Sequence, residues 1–255
     1  MLPQSTLKRA IWRAVRPPVT WWLDRSEGRR LRVLRYVGDM VLPGYRFKHP
    51  EIGWWGDVEF TELLRHVGEL EGLNTDRLWN VSQLTRLAMD LPGDTAECGV
   101  YRGASSYVIC RSLRRPHHGF DSFQGLSDPL ELDGDHWRRG DLTASEAVAR
   151  SVLAEFNVTL HPGWIPDRFN DVADSQFAFV HIDVDLYEPT RHSLEFFYPL
   201  VVPGGVIVVD DYGFITCPGA TEAVDEFLAD RSERIVSLAS GGGFIIKLSG
   251  DHPTT

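Results

Sequence analysis

From residue 94 onward the chain alternates between short apolar runs and helix-like stretches, and that alternation leaves few folds open. The runs at 94–99, 117–121, 156–160, 177–183 and 205–210 are strand-sized. Helical periodicity fills most of the gaps, as at 104–114, 143–155 and 188–199. Strands alternating with helices build a parallel sheet covered on both faces. The last two runs break the rule, because 233–239 and 243–248 are joined by a glycine-rich turn with no room for a helix. The expected fold is therefore α/β: a doubly wound, mostly parallel seven-stranded sheet with a terminal antiparallel hairpin. That hairpin departs from the dinucleotide-binding pattern.

At 255 residues one α/β domain is the default. Residues 51–255 are read as that domain, with leading helices over 51–93 and the α/β core over 94–255. Over 76–90, DRLWNVSQLTRLAMD puts Leu78, Val81, Leu84, Leu87 and Ala88 on one helical face. Asn74 and Thr75 supply the cap, and Pro92-Gly93 the stop. Residues 1–50 read as a helical appendage broken at Arg16-Pro17-Pro18 and Leu42-Pro43-Gly44. Charge separates the two parts: residues 1–48 hold eleven Lys and Arg against Asp24, Glu27 and Asp39, although the whole chain carries −10. A basic arm with Trp12, Trp21 and Trp22 suits packing on an acidic body or a second subunit, or a weak contact with a membrane surface. Nucleic acid is not an expected partner. Three scattered cysteines, Cys98, Cys110 and Cys217, form no disulfide framework or CxxC pair and read as buried thiols in a reducing compartment. No run of 18 apolar residues is present, and MLPQSTLKRAIWRAV lacks an extended apolar core and a clear cleavage site. The expected location is cytoplasmic.

Five strand ends carry candidate chemistry. Ala96-Glu97-Cys98-Gly99-Val100-Tyr101-Arg102-Gly103 ends a strand in an acid and then turns on glycines, with ExGxxxG spacing in place of the GxGxxG that seats a pyrophosphate. A carboxylate there suits a cationic ligand, such as the amino group of a methionine-like cofactor. Asp121 ends the second strand, where nucleoside-binding sheets accept hydrogen bonds from ribose hydroxyls. Gly163 or Trp164, after the third strand, suits an adenine contact, and Trp164 equally suits a place in the core. The strongest signal is a pair of acidic clusters at consecutive strand ends, Asp183 with Asp185 and Asp210 with Asp211. Neighbouring strands lie about 4.8 Å apart, so these carboxylates converge and call for a cation among them. Oxygen ligands with room left for water suit Mg²⁺, Mn²⁺ or Ca²⁺ rather than zinc.

In LPGDTAECGVYRGASS, GFDSFQGLSDP, HPGWIPD, HIDVDLYEPT and VPGGVIVVDDYG the chain resembles the macrocin O-methyltransferase (TylF-type) family, over roughly residues 74–230. The resemblance implies a class I S-adenosylmethionine-dependent methyltransferase that methylates sugar hydroxyls of natural products, and it makes a homodimer the expectation. It also implies that Glu97, Gly99 and Asp121 contact the cofactor and that Asp183, Asp210 and Asp211 hold Mg²⁺. The full expected cofactor set is Glu97, Gly99, Tyr101, Gly103, Ser105, Asp121, Ser122, Gly163, Trp164 and Asp183. Asp183 is expected to serve also as base, with Asp185 the alternate.

His181 shares Asp183's alternation along its strand and reads as a buried structural histidine; His192 lies nearby in sequence. The long polar loop over 124–142 is expected to form a mobile lid, bringing His136 and Trp137 toward a small glycosylated or hydroxylated acceptor. A metal-dependent glycosyltransferase using Asp183-Val184-Asp185 leaves Glu97, Asp121 and the Asp210–Asp211 pair without work. A nicotinamide oxidoreductase is disfavoured by the spacing and the hairpin. A non-catalytic binding scaffold would not require the acidic clusters.

Overall fold

An unbroken run of Val, Ile and Phe leaves a strand no face for water, so such runs belong at the centre of a sheet. The computed structural model, which describes residues 17–23, 25–41, 53–67 and 74–248, has seven strands: β1 (Asp94–Cys98), β2 (His117–Asp121), β3 (Val158–Pro162), β4 (Phe177–Ile182), β5 (Val201–Val209), β6 (Val236–Ser237) and β7 (Gly243–Ile246). They form one sheet in the order β3-β2-β1-β4-β5-β7-β6. β4 is central and buried along its whole length. β1 to β5 pair in parallel, whereas β7 runs antiparallel to both β5 and β6. The expected doubly wound sheet with its terminal hairpin is therefore what forms.

The chain divides at residues 56 and 57 into two units. In the first, residues 17–23 are helical and α1 (Glu27–Val41) follows; the proposed break at Leu42-Pro43-Gly44 and Trp12 lie outside the described residues. The second contains α2 (Val58–Val67), α3 (Thr75–Leu84), α4 (Ala104–Leu113), α5 (Glu146–Val152), α6 (Tyr187–Leu200) and α7 (Pro218–Leu228). Asn74 caps α3, its side chain accepting from the N–H groups of Asp76 and Arg77 at 3.0 and 3.3 Å. The helix tightens to a 3₁₀ turn at Thr85–Ala88, which leaves Leu87 exposed although Leu78, Val81, Leu84 and Ala88 are buried as expected. α6 and α7 supply Leu194, Phe197, Val224, Phe227 and Leu228 to a core shared with Phe120, Phe169, Val180 and Ile182. Fully burying one such side chain contributes about 1.5–3 kcal/mol. Cys98, Cys110 and Cys217 are buried free thiols. No described helix is long and apolar enough to cross a membrane.

Three strands differ most from the sequence reading in their boundaries. β3 starts two residues late, β6 shrinks to Val236–Ser237, and β5 begins four residues early at Val201. Pro203-Gly204-Gly205 interrupts β5: its register against β4 jumps from Val201 opposite Phe177 to Val206 opposite Phe179. A proline and two glycines hide the first half of such a strand from any apolar-run criterion.

Candidate functional site

The sheet order reverses between β1 and β4, which is where open α/β sheets leave a crevice beyond their strand ends. A cleft of about 450 Å³ lies there, lined by Gly99, Tyr101, Asp121, Ser122, Trp164, Asp183, Asp185 and Asp211, with Phe120, Trp137, Leu142 and Phe214 as apolar walls. A second cavity of about 120 Å³ is lined by Asn74, Arg77, Gly99, Tyr101, Arg102, Ser105, His181, Asp183 and Asp210.

The turn after β1 folds sharply because its glycines and Tyr101 take left-handed angles: φ is +89° at Gly99, +51° at Tyr101 and +88° at Gly103. The Gly99 N–H donates to Phe120 O at 2.8 Å and the Tyr101 N–H to Asp121 Oδ2 at 2.7 Å. Asp121 Oδ1 accepts from the Phe123 N–H at 2.6 Å. Burial pushes the Asp121 carboxyl up despite those backbone donors. Ser122 Oγ donates to Gly125 O at 2.9 Å.

Asp183, Asp210 and Asp211 do converge, and a cation stands among them. Arg77 Nη2 lies 3.2 Å from Asp183 Oδ1 and 3.3 Å from Asp211 Oδ1, and it is in contact with Asp210 Oδ2. Burial works against the guanidinium's charge, yet Asp183 and Asp211 raise its pKa overall. Burial and the charge of Asp183 push Asp211 up to about 6; burial and Asp211 hold Asp185 well above the usual carboxylate range. Asp185 sits at φ +60°, its N–H donating to Asp211 Oδ2 at 2.7 Å. Cys217 Sγ is 3.7 Å from Asp185 Oδ1 and accepts from Trp137 Nε1 at 3.4 Å. His181, Asp183 and Asp210 each offer a ligand atom within 4.8 Å of the others. An all-carboxylate meeting point with a histidine nitrogen beside it has the donor chemistry of a hard divalent cation.

Arg77 was missed in the sequence, but a signal existed. It stands four and seven residues before Val81 and Leu84, both buried, so it continues the core-facing row of α3. An arginine in such a row needs carboxylate partners.

Of the expected cofactor residues, Gly99, Tyr101, Ser105, Asp121, Ser122, Trp164 and Asp183 line one or both cavities, whereas Glu97, Gly103 and Gly163 line neither. Glu97 is fully buried and holds His181 Nδ1 at 2.7 Å together with the Ser106 hydroxyl. Burial alone would raise its pKa, but His181, His117 and Ser106 hold it below the ordinary range. The carboxylate expected to meet a ligand thus meets His181, because Glu97 and His181 are register partners on adjacent strands. Gly103 packs its Cα face on Leu153, and the Gly163 N–H donates to Asp121 O at 3.0 Å. His192 is turned to Arg191 and Glu188 on α6.

The loop after β2 contributes Gly125, Leu126, Ser127, Trp137 and Leu142 to the cleft, while His136 is exposed and lines neither cavity. Its middle is anchored: buried Asp133 accepts from the N–H of Leu130 at 2.8 Å and of Tyr187, the first residue of α6, at 2.7 Å.

The family model described as "Macrocin-O-methyltransferase (TylF)" matches residues 73–236. The chain is 32% identical over 189 residues to demethyldecarbamoylnovobiocin O-methyltransferase of Streptomyces niveus, covering 65% of this chain and 71% of that protein. It is also 32% identical over 155 residues to 8-demethyl-8-(2,3-dimethoxy-alpha-L-rhamnosyl)-tetracenomycin-C 4'-O-methyltransferase of Streptomyces olivaceus, covering 53% of this chain and 59% of that protein. Among solved structures, the O-methyltransferase NovP superposes with a TM-score of 0.57 at 30% identity, over 68% of this chain and 79% of its own. With the family pattern spanning both the glycine turn and the paired acidic strand ends, the chain belongs to the macrocin O-methyltransferase (TylF) family and is an O-methyltransferase.

Proposed function

We propose that this O-methyltransferase moves a methyl group from S-adenosylmethionine to a hydroxyl on a sugar moiety of a natural product or glycan, with Mg²⁺ or Mn²⁺ held by Asp183, Asp210 and Asp211. The observation that carries the reading is the meeting of those three carboxylates beside the cleft that also holds Gly99, Tyr101 and Asp121. The rhamnosyl acceptor named for the Streptomyces olivaceus relative supports a glycosylated substrate.

The cofactor supplies the methyl group as a sulfonium electrophile, and the divalent ion supplies a Lewis acid that lowers the pKa of an acceptor hydroxyl. The chain's residues do the rest. Asp121 has a lone pair left on each oxygen to accept ribose hydroxyls. Tyr101 and Ser105 would border the methionine end of the cofactor, and Trp164 its adenine. Asp183, whose side chain keeps 32% of its exposure and lines both cavities, takes the hydroxyl proton. A proton taken there would leave the acceptor oxygen as the nucleophile for the methyl group that the bound cofactor would supply. Asp185, with its raised pKa, is the alternate base. Trp137, Leu142 and Phe214 exclude water.

Calorimetry tests the cofactor assignment. S-adenosylhomocysteine is expected to bind, with no heat from NAD or UDP-sugars, and Asp121→Asn to weaken it by about tenfold. Heat from NAD or a UDP-sugar in place of S-adenosylhomocysteine would discard the reading.

The reading extends to a homodimer and to a weak anionic-membrane contact through residues 1–48. Exposed Trp21 and Trp22 support the latter, each beneath a guanidinium, Arg25 at 3.7 Å and Arg29 at 5.1 Å. Light scattering is expected to give twice the chain mass. Flotation with phosphatidylserine vesicles is expected to fall several-fold in a Trp21→Ala, Trp22→Ala variant. A monomer in the first assay, or equal flotation in the second, would remove the corresponding claim.

A further inference from the structure

Every contact Arg77 makes with the three carboxylates runs through a single nitrogen, Nη2. A guanidinium built permanently into an acidic cluster uses its fork, with two parallel N–H···O bonds to one partner. Arg77 acts instead as a point charge, and its Nε is buried with no hydrogen-bond partner, a costly omission for a buried donor. A meeting point of oxygens suits a small spherical ion better than a planar fork. A second observation marks the same place. His181 Nε2, on a side chain 1% exposed, also lacks a hydrogen-bond partner and lies 3.6 Å from Asp210 Oδ1.

Arg77 also borders both cavities, the main cleft and the smaller one beside Tyr101 and Ser105. On the reading above, the smaller cavity takes the methionine end of the cofactor, whose carboxylate is the planar partner that a guanidinium fork matches.

We propose that Arg77 is a displaceable counter-cation: it holds Asp183, Asp210 and Asp211 together until a divalent ion takes its place, and then pairs with the carboxylate of the cofactor's methionine moiety. This rests on the metal assignment made above. Arg77 is a positioning residue, and its role couples two ligands. A cofactor that draws the guanidinium away leaves the carboxylates free for the ion, and an ion that expels it frees it for the cofactor. By reciprocity, each ligand tightens the other by the same factor.

The test is Mn²⁺ titration of the full chain, followed by electron paramagnetic resonance of the free ion, with and without S-adenosylhomocysteine. That ligand carries the carboxylate but no sulfonium charge, so it does not itself repel the metal. Without it, Arg77→Gln is expected to bind Mn²⁺ about tenfold more tightly than the parent, because no internal cation competes. Adding it is expected to tighten Mn²⁺ by about tenfold in the parent and to leave Arg77→Gln unchanged. Arg77→Lys keeps a compact charge but no fork, so it is expected to match the parent without S-adenosylhomocysteine and to lose most of the coupling. This variant carries the test if the glutamine protein does not fold. Equal Mn²⁺ affinity in the parent and Arg77→Gln, or parental coupling in either variant, overturns the role of Arg77 and leaves the metal assignment standing. Mn²⁺ bound by none of the three overturns both.

Discussion

Asp183→Asn and Asp210→Asn are each expected to lower methyl transfer by about a hundredfold to a thousandfold while S-adenosylhomocysteine still binds. The magnitude follows from what a Lewis acid contributes to a developing alkoxide, several kcal/mol, at about 1.4 kcal/mol for each factor of ten in rate. Both substitutions keep size and remove charge at the point where three carboxylates and Arg77 Nη2 meet. Asp183 has the further task of taking a proton, so its variant is expected to be the slower and to show no rescue by excess Mg²⁺. Asp210→Asn is expected to regain part of its rate as the metal concentration rises. Mass spectrometry of a methylated glycosylated acceptor reads both. Parental turnover in the two variants, or parental turnover in EDTA, would end the metal assignment.

Gly99→Ala is expected to destabilise the protein by about 3 kcal/mol, a Tm loss of roughly 10 °C for a domain of this size, and to abolish cofactor binding. Gly99 stands at φ +89°, where a Cβ is strained on its own. A Cβ there would also overlap the carbonyl oxygen of Asp183 and lie 3.4 Å from Val184 Cγ1. Neither β1 nor β4 can give way readily, since the Asp183 N–H is bonded to Cys98 O at 2.8 Å. The two strand ends run side by side here at backbone distance, so the substitution pushes Asp183 away from the glycine turn. Thermal unfolding and calorimetry measure the two effects, and a Tm within about 2 °C of the parent would show that the contact is softer than its geometry implies.

Strand tips were legible in the sequence because each apolar run ends where its acid begins. Asp183, Asp210 and Asp211 are placed by strand length and parallel pairing alone, with Ile182 level with Cys98 and Val209. Arg77 was hidden for the opposite reason. Its partners lie 106 and 134 residues away, on elements whose approach to α3 is set by packing. Glu97 was legible as an acid at a strand end, but ExGxxxG spacing does not say what faces it across the sheet. His181 does, and it takes the carboxylate. The loop after β2 reads as polar and long, which describes its surface. Its single inward carboxylate, Asp133, is invisible among Asp128, Glu131, Asp135 and Asp141 because composition carries no direction.

Asp133 makes the cleft's roof and one of its walls a single mechanical part. Its carboxylate caps the loop at Leu130 and the start of α6 at Tyr187, two residues beyond Asp185. Gly219, in the first turn of α7, leaves it just enough space, since a Cβ there would strike Asp133 Oδ1. Reshaping acceptor preference by grafting a foreign segment over 124–142 is accordingly a problem of three linked stations. The donor segment must carry an inward acid, meet an unsubstituted glycine on α7, and leave the amide of Tyr187 an acceptor.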